Sequence, residues 1–540
     1  MKQIAETTTA GDELRLSRTE VRRMERAAKS ERRAGRRKPN AVWRFIQAVR
    51  EQRQTALLRP GRRGWNVPGG GATGYIEAPI EYQGTSVQVC GLWPFVAGSS
   101  SPVVGVPLGY HLRRGTLVCA DPIQWFLSNL ILNPSAFILG RPGLGKSSLA
   151  RRIVTILEAW GVTPMVLSDI KPDYVGIIAE MKGQVITVAR GRGHLNPLDI
   201  GPMVGLLADI PDPEARRAAL EEMRGRRLSI MTGLLALVLG RDLEAHERTI
   251  LSESLRTLDP ELENPPRMVD LYELIDDGPE NLMAVALARS DRQHYDTRVS
   301  GLLDALTALG ENGPFGDLFA HHTSVHIEPG RPVVFDISGI DDADAQLQAA
   351  VQSVCWNYGS ATVSAEKHLA AAGLRDEHHY LLVMDELWRM LRASDSMVYF
   401  IDALTRLNRQ RGLGQILITH TMNDLELASE HLTKIAWGFV ERSAMVFLGG
   451  LAQREMGNLE EVFALSGQER DMIADWSAEG GMNPETNRAA APPGRGKFLL
   501  KIGKKPGVPF QTMLTTPEAA SHNTNKAWTQ AQAAHGRKTA

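Results

Sequence analysis

Cysteine is scarce in this sequence: Cys90, Cys119 and Cys355 stand far apart among 540 residues. The chain therefore encodes neither a disulfide framework nor a cysteine-rich metal site, and a reducing compartment is expected. Long apolar runs are also lacking, because the best stretch, residues 230–239, is far shorter than the roughly 18 to 20 residues of a membrane-spanning helix. No basic-then-apolar signal peptide is recognisable at the start of the sequence. We therefore expect a cytoplasmic protein rather than an integral membrane or secreted one.

The formal net charge of −1 hides an uneven distribution along the chain. Residues 1–63 carry 18 Lys and Arg against 7 Asp and Glu, so this segment is a basic arm. Within the arm, residues 41–50 have four apolar side chains at helical spacing, which predicts an amphipathic helix. These side chains are Val42, Phe45, Ile46 and Val49. Such a helix can bind the inner face of the cell membrane, nucleic-acid phosphates or a partner, and a solvated tail is the alternative.

The order of strand and helix signals predicts an α/β protein. Short strands alternate with helices in two parts of the chain, the rhythm of a mainly parallel sheet, and a run of helices without strand signals separates the two parts. The predicted segments are a basic, largely helical arm (1–63), a linker rich in Gly and Pro (64–75), a small N-terminal β-rich subdomain (76–130), the first part of the core (131–212), an all-α insertion (213–323), the second part of the core (324–516) and a flexible tail (517–540).

A phosphate-binding motif stands between a predicted strand and a predicted helix. Residues 140–147 read Gly-Arg-Pro-Gly-Leu-Gly-Lys-Ser and follow the apolar stretch 136–139, which is the context that the G-x-x-x-x-G-K-[ST] loop requires. Its glycines let backbone N–H groups turn towards phosphate oxygens, and the helix N-terminus adds a positive dipole. Lys146 is expected to neutralise the β- and γ-phosphates, and Ser147 to ligate Mg²⁺. The predicted nucleotide-binding residues are Gly140, Gly143, Gly145, Lys146, Ser147 and Ser148.

An acidic pair follows another predicted strand. The apolar residues 381–384 precede Asp385 and Glu386, and ligands bind at the carboxyl ends of strands in open α/β sheets. We expect Asp385 to hold Mg²⁺ through water and Glu386 to polarise the attacking water. A strand-end acid that caps the following helix is the structural alternative.

Basic residues around the next predicted strand, 415–419, complete the candidate site. Arg406, Arg409 and Arg411 precede it, and an arginine there can reach the γ-phosphate bound to a neighbouring subunit. The residues leave open which arginine does so, and a solvated basic helix face is the alternative. His420, or the threonine before it, is expected beside the acidic pair, where it could sense the γ-phosphate or position water. The candidate catalytic residues are Lys146, Glu386, Arg409, Arg411 and His420.

Together these motifs resemble the cytoplasmic traffic ATPases of type IV secretion and conjugation systems, the TraC-like members of the HerA/FtsK clan of RecA-like motors. Residues 385–388, Asp-Glu-Leu-Trp, match the D-E-x-W segment of that clan, and residues 196–199, Asn-Pro-Leu-Asp, match its N-P-[LF] element. Residues 169–174 are similar to its D-x-K-x-E/D-Y stretch. The helical insertion and a closing strand at 496–501 also fit. The resemblance covers about residues 87–518.

The resemblance implies a RecA-like P-loop core that uses ATP and Mg²⁺. It further implies a homohexameric ring, with membrane-embedded secretion or conjugation components as partners, in which hydrolysis drives conjugative DNA transfer or substrate export. A soluble HerA/FtsK-like DNA translocase and a nucleotide-gated scaffold are the alternatives. His420 departs from the clan, which usually has Gln at this point, and the basic arm has no family counterpart.

Overall fold

The computed structural model describes residues 101–521, apart from 289–290, 316–317, 342, 394, 407–411, 484–487 and 490. All of the described residues belong to one compact unit, Val96–Ala540. The predicted arm, the linker and the first part of the predicted β-rich subdomain lie outside the described residues. The same is true of Arg409, Arg411 and most of the predicted tail.

Most strands of the described residues join one large sheet. The strands are β1 (Pro107–His111), β2 (Leu117–Cys119), β3 (Ser135–Leu139), β4 (Val162–Asp169), β5 (Gln184–Thr187), β6 (Val333–Asp336), β7 (His379–Met384), β8 (Leu413–Thr419), β9 (Met445–Leu448), β10 (Met482–Asn483), β11 (Arg488–Ala489), β12 (Lys497–Lys501) and β13 (Val508–Thr512). Eleven of them lie in the order β2-β1-β13-β12-β9-β3-β8-β7-β4-β6-β5, while β10 and β11 form a separate ribbon.

The centre of the sheet is parallel and one side of it is antiparallel. Strands β9, β3, β8, β7, β4, β6 and β5 run in the same direction. Strands β12, β13, β1 and β2 continue the sheet in antiparallel pairs. Every residue of β3 and β4 is buried, as expected for parallel strands covered on both faces. The carboxyl ends of β3, β8, β7 and β4 therefore open along a single edge.

Helices cover both faces of this sheet. They are α1 (Pro122–Leu127), α2 (Lys146–Ala159), α3 (Val175–Glu180), α4 (Pro213–Leu239), α5 (Ala245–Leu258), α6 (Met268–Asp277), α7 (Glu280–Val285), α8 (Arg292–Leu309), α9 (Ala345–Ala371), α10 (Leu387–Ala393), α11 (Asp395–Arg406), α12 (Glu430–Arg442), α13 (Met456–Val462), α14 (Gly467–Asp475) and α15 (Thr516–Ser521). Helices α4 to α8 lie between β5 and β6, where the sequence predicts the all-α insertion.

Two hydrophobic cores lie on opposite faces of the sheet, because successive strand residues point in opposite directions. Along β3, Phe137 and Leu139 belong to the core shared with α4 to α9, whereas Ala136 and Ile138 belong to the core shared with α2. The sequence thus folds into an α/β protein with a mostly parallel sheet, as predicted.

The described part of the segment predicted as a small β-rich subdomain, residues 101–130, contributes strands β1 and β2 to the large sheet. Strand β1 pairs with β13, and Gly109 lies opposite Thr512. The predicted strands of the core lie within a few residues of the observed bounds. Within the described ranges, no helix is long and apolar enough to cross a bilayer.

Candidate nucleotide-binding site

The loop after β3 turns sharply into α2. Gly143 and Gly145 have φ angles of 78° and 102°, a region that side chains with a Cβ rarely adopt, so glycine is required for this turn. The loop is fixed at its start, since the Gly140 N–H donates to the His420 carbonyl at 3.0 Å. Helix α2 then begins at Lys146, which directs its first backbone N–H groups towards the open edge of the sheet.

The Lys146 ammonium group lies folded back against its own loop. Lys146 is 7% exposed. Its Nζ donates to the Gly140 carbonyl at 2.6 Å and lies 3.4 Å from the Arg141 carbonyl. It also lies 2.9 Å from Nδ1 of His420. Burial lowers the pKa of Lys146 to about 8, although Asp385 and Glu386 oppose this shift. The group therefore remains mostly cationic at neutral pH.

The Ser147 side chain contacts Asp173 from the loop after β4. The hydroxyl hydrogen-bonds the Asp173 carboxylate, whose pKa is raised mainly by burial. The buried Arg151 links the same two elements, because its Nε donates to the Ser147 carbonyl at 3.2 Å and its Nη1 to the Asp173 carbonyl at 3.1 Å. The start of α2 is thus joined to the loop after β4. Ser148 is partly buried in the same turn.

The acidic pair lies directly after β7. Asp385 accepts hydrogen bonds from the Tyr174 hydroxyl at 3.2 Å and from the Glu386 N–H at 2.9 Å. Burial and the Glu386 charge raise the pKa of Asp385 to about 6, against the opposing effect of Lys146. Glu386 has φ 54°, a left-handed conformation that costs a non-glycine residue about 1 to 3 kcal/mol. Strain of this kind is concentrated at functional sites.

Three donors hold the Glu386 carboxylate, which is only 8% exposed. Lys171 Nζ lies 2.8 Å from Oε1. Trp388 Nε1 donates to Oε2 at 2.6 Å, and Nε2 of His420 lies 3.1 Å from the same oxygen. Burial alone would raise the pKa of Glu386, but the hydrogen bonds from His420, Lys171 and Trp388 outweigh it and keep the pKa well below its usual range. The carboxylate is therefore ionised.

The loop after β4 supplies several of these contacts. Asp169, the last residue of β4, accepts hydrogen bonds from the backbone N–H groups of Asp173 at 3.2 Å, Tyr174 at 2.7 Å and Val175 at 3.2 Å. Burial raises the pKa of Asp169 to about 7. These bonds fix a tight loop that brings Lys171 to the acidic pair.

Among solved structures, the fold is similar to VirB4 of Thermoanaerobacter pseudethanolicus, with a TM-score of 0.54 and 18% identity over 78% of this chain and 99% of that one. This chain has the RecA-like P-loop fold of VirB4. The conjugative coupling protein TrwB in complex with ADP and Mg²⁺ is a more distant match, with a TM-score of 0.44, 12% identity and coverage of 79% of this chain and 92% of that one. No protein-family model matches the sequence, and no curated protein matches it either.

In this VirB4-like fold, the strand of the phosphate loop and the strand of the acidic pair flank a single strand, β8. Lys146, Glu386 and His420 are brought together across these three strands, within the distances given above. Thr419 lies buried at the end of β8, and its Oγ1 has no hydrogen-bond partner among the residues that the structure describes. Arg409 and Arg411 lie outside the described residues, so an arginine that reaches a neighbouring subunit stays a prediction.

The sequence motifs do not predict the contacts that the loop after β4 makes, because residues 169–174 and Trp388 are recognised only by their resemblance to the clan. The sequence does contain a signal for these contacts. The polar residues within 169–174 follow a strand, and the carboxyl ends of parallel strands reach the sheet edge that carries the phosphate loop and the acidic pair. The Asn-Pro-Leu-Asp element has a structural contact instead. The buried Asn196 donates from Nδ2 to the Pro266 carbonyl at 2.9 Å and so links the core to the insertion.

Proposed function

We propose that this chain is a Mg²⁺-dependent ATPase that energises conjugative DNA transfer or type IV secretion. One observation carries the proposal: His420 contacts both the phosphate-loop lysine, at 2.9 Å, and the strand-end Glu386, at 3.1 Å. The lysine proposed to bind phosphate and the carboxylate proposed to orient water thus lie in one crevice, as hydrolysis of a bound triphosphate requires.

The phosphate loop supplies the binding contacts in this proposal. Backbone N–H groups of residues 143–148 surround the β-phosphate, and Lys146 adds a fixed positive charge on the β- and γ-phosphates. Charge that develops on the γ-phosphate and on the leaving oxygen is stabilised by the Lys146 ammonium group, which burial keeps within the phosphate loop.

The acidic side of the crevice fits a magnesium ion. Burial raises the pKa of Asp169, Asp173 and Asp385, and neighbouring carboxylates add to each shift, so a cation bound beside them would stabilise their ionised forms. Mg²⁺ prefers oxygen ligands, which the Ser147 hydroxyl and the Asp385 carboxylate offer, the latter through water. Magnesium, when bound there with ATP, neutralises charge on the β- and γ-phosphates.

Glu386 is the proposed residue that orients and polarises the attacking water. It is ionised and therefore able to accept a hydrogen bond from water. Its low pKa makes it a weak base, which suits a role in positioning water more than complete removal of a proton before the transition state. The matching residues of the clan motif D-E-x-W, residues 385–388, support this assignment.

The larger assembly is proposed from the resemblance and the VirB4-like fold. We infer a homohexameric ring with ATP at subunit interfaces, in which Arg409 or Arg411 of one subunit reaches the neighbouring γ-phosphate. Membrane-embedded secretion or conjugation components are the inferred partners, and the protein is inferred to act in the cytoplasm at the inner face of the membrane.

The proposal is tested by measuring phosphate release from Mg²⁺-ATP as a function of protein concentration, with and without single- and double-stranded DNA. A secretion motor that assembles into a ring gives turnover per chain that rises with protein concentration. Stimulation of hydrolysis by single- or double-stranded DNA favours the soluble translocase, and no stimulation by either excludes it. Undetectable turnover by purified hexamer contradicts the proposal and leaves the nucleotide-gated scaffold.

A further inference from the structure

His420 lies between the two halves of the candidate site and contacts each with a different ring nitrogen. Nδ1 lies 2.9 Å from Lys146 Nζ, and Nε2 lies 3.1 Å from Glu386 Oε2. We propose that His420 is a positioning residue that couples phosphate binding at Lys146 to the state of Glu386. This inference rests on the proposed ATPase function and adds a regulatory step to it.

The two contacts fix the tautomer of the imidazole ring. A protonated lysine has three N–H donors and no acceptor, so Nδ1 of His420 must accept from Lys146 and cannot carry a hydrogen. The hydrogen of the neutral ring then resides on Nε2, where it is donated to the Glu386 carboxylate. A single proton arrangement satisfies both contacts, and each contact stabilises the tautomer that the other needs.

Within the described part of the chain, three acceptors occupy the N–H groups of the Lys146 ammonium. Its three acceptors are the Gly140 carbonyl at 2.6 Å, the Arg141 carbonyl at 3.4 Å and Nδ1 of His420. A β-phosphate can bind Lys146 only if at least one of these acceptors is released. The Gly140 and Arg141 carbonyls belong to the loop backbone, whereas the His420 side chain can rotate, so we assign the release to His420.

Release from Lys146 changes the contact on the other side of the ring. Once Nδ1 loses its donor, the tautomer that donates to Glu386 keeps only one of its two supporting contacts, and the bond at Oε2 weakens. Glu386 stays in place, because Lys171 still contacts Oε1 and Trp388 still donates to Oε2. Phosphate binding therefore frees part of the carboxylate for water while the residue remains oriented.

Coupling between two sites is reciprocal, so it predicts whether nucleotide affinity rises or falls when His420 is removed. If His420 competes with phosphate for Lys146, removal of the imidazole must tighten nucleotide binding. Loss of a residue with a merely structural role would weaken binding instead. Glutamine is the matched control, since its side-chain amide offers one acceptor and one donor and can replace both ring contacts.

The test is isothermal titration of the full-length protein with ADP, for the parent, His420→Ala and His420→Gln. We expect His420→Ala to bind ADP roughly three- to tenfold more tightly than the parent, the effect of one competing hydrogen bond. We expect His420→Gln to remain within about twofold of the parent.

Unchanged or weaker ADP binding by His420→Ala would overturn the inference. A parent that binds ADP and hydrolyses ATP, with His420→Ala unaltered in affinity, refutes the coupling and leaves the ATPase intact. A parent that neither binds ADP nor hydrolyses ATP refutes the proposed function itself.

If His420→Ala fails to fold, ¹⁵N NMR of the histidine-labelled parent protein replaces the titration. The His420 signals are assigned by their absence from the spectrum of His420→Gln. Nδ1 without a proton in the free protein and a changed signal with ADP support the inference, whereas a protonated Nδ1 in the free protein contradicts it.

Discussion

Lys171 Nζ lies 2.8 Å from Glu386 Oε1, although 215 positions separate the two residues in the sequence. The contact exists because β4 and β7 are neighbouring parallel strands whose carboxyl ends reach the same edge. Lys171 belongs to the tight loop that Asp169 fixes, so its reach to Glu386 is defined by backbone hydrogen bonds as well as by charge.

Replacement of Lys171 by Met tests whether this lysine orients Glu386. The Lys171 side chain is 57% exposed, so the ion pair is worth little in solvent. We expect kcat for ATP to fall by roughly two- to fivefold, with little change in ADP affinity. Lys171→Arg keeps the charge and should retain most of the parent kcat. A large change in ADP affinity, with kcat unaltered, would assign Lys171 to nucleotide binding instead.

Replacement of Lys146 by Ala tests the phosphate loop. The variant loses the ammonium charge that is proposed to contact the β- and γ-phosphates, so we expect kcat/KM for ATP to fall by at least about 100-fold. The measurement is phosphate release under the same conditions as the parent. Lys504→Ala, at an exposed lysine, is the control for a general charge effect. Retained turnover in Lys146→Ala would disprove the site assignment.

The pH dependence of ADP binding follows from the pKa of Lys146, which is about 8 in the nucleotide-free protein. A bound phosphate raises that pKa, so the complex holds a proton that the free protein loses above this value. ADP affinity should therefore decrease above about pH 8, by up to about tenfold per pH unit. Calorimetry in metal-free buffers measures this. Affinity that rises with pH would show that Lys146 is not the phosphate contact.

The sequence allowed most of the core to be predicted, for a simple physical reason. The strands β3, β4, β7 and β8 are short apolar runs buried on both faces, and such runs are recognisable without any partner. Parallel strands end at a common edge, so the proximity of His420 to the acidic pair also followed from the sequence.

Other features depended on contacts that local patterns do not encode. Strand β1 pairs with β13, about 400 residues later, and nothing in the sequence around Gly109 specifies that partner. The left-handed φ of Glu386 is likewise set by its surroundings, since glutamate has no preference for it. Trp388 could be recognised as part of a motif, but its bond to Glu386 required the observed turn.

Deletion of residues 1–63 tests the basic arm. The deleted segment carries 18 Lys and Arg against 7 Asp and Glu, so its loss removes the main positive charge of the chain. We expect the truncated protein to lose cosedimentation with vesicles that contain anionic lipid, and to keep its ATPase activity. Neutral vesicles and high salt are the controls, because both remove the electrostatic attraction. If the truncated protein binds vesicles and DNA as the parent does, the arm is a solvated tail.

The central claim is that a triphosphate bound at residues 140–148 is cleaved with the help of Glu386. The most direct measurement mixes Mg²⁺-ATP with the parent or with Glu386→Gln, isolates the protein and identifies the nucleotide that it retains. Glu386→Gln keeps the shape of the side chain but loses its charge, so it should bind ATP, retain it uncleaved and turn over about 100-fold or more slowly than the parent. The parent should retain ADP. A Glu386→Gln protein that cleaves ATP as fast as the parent would contradict the account.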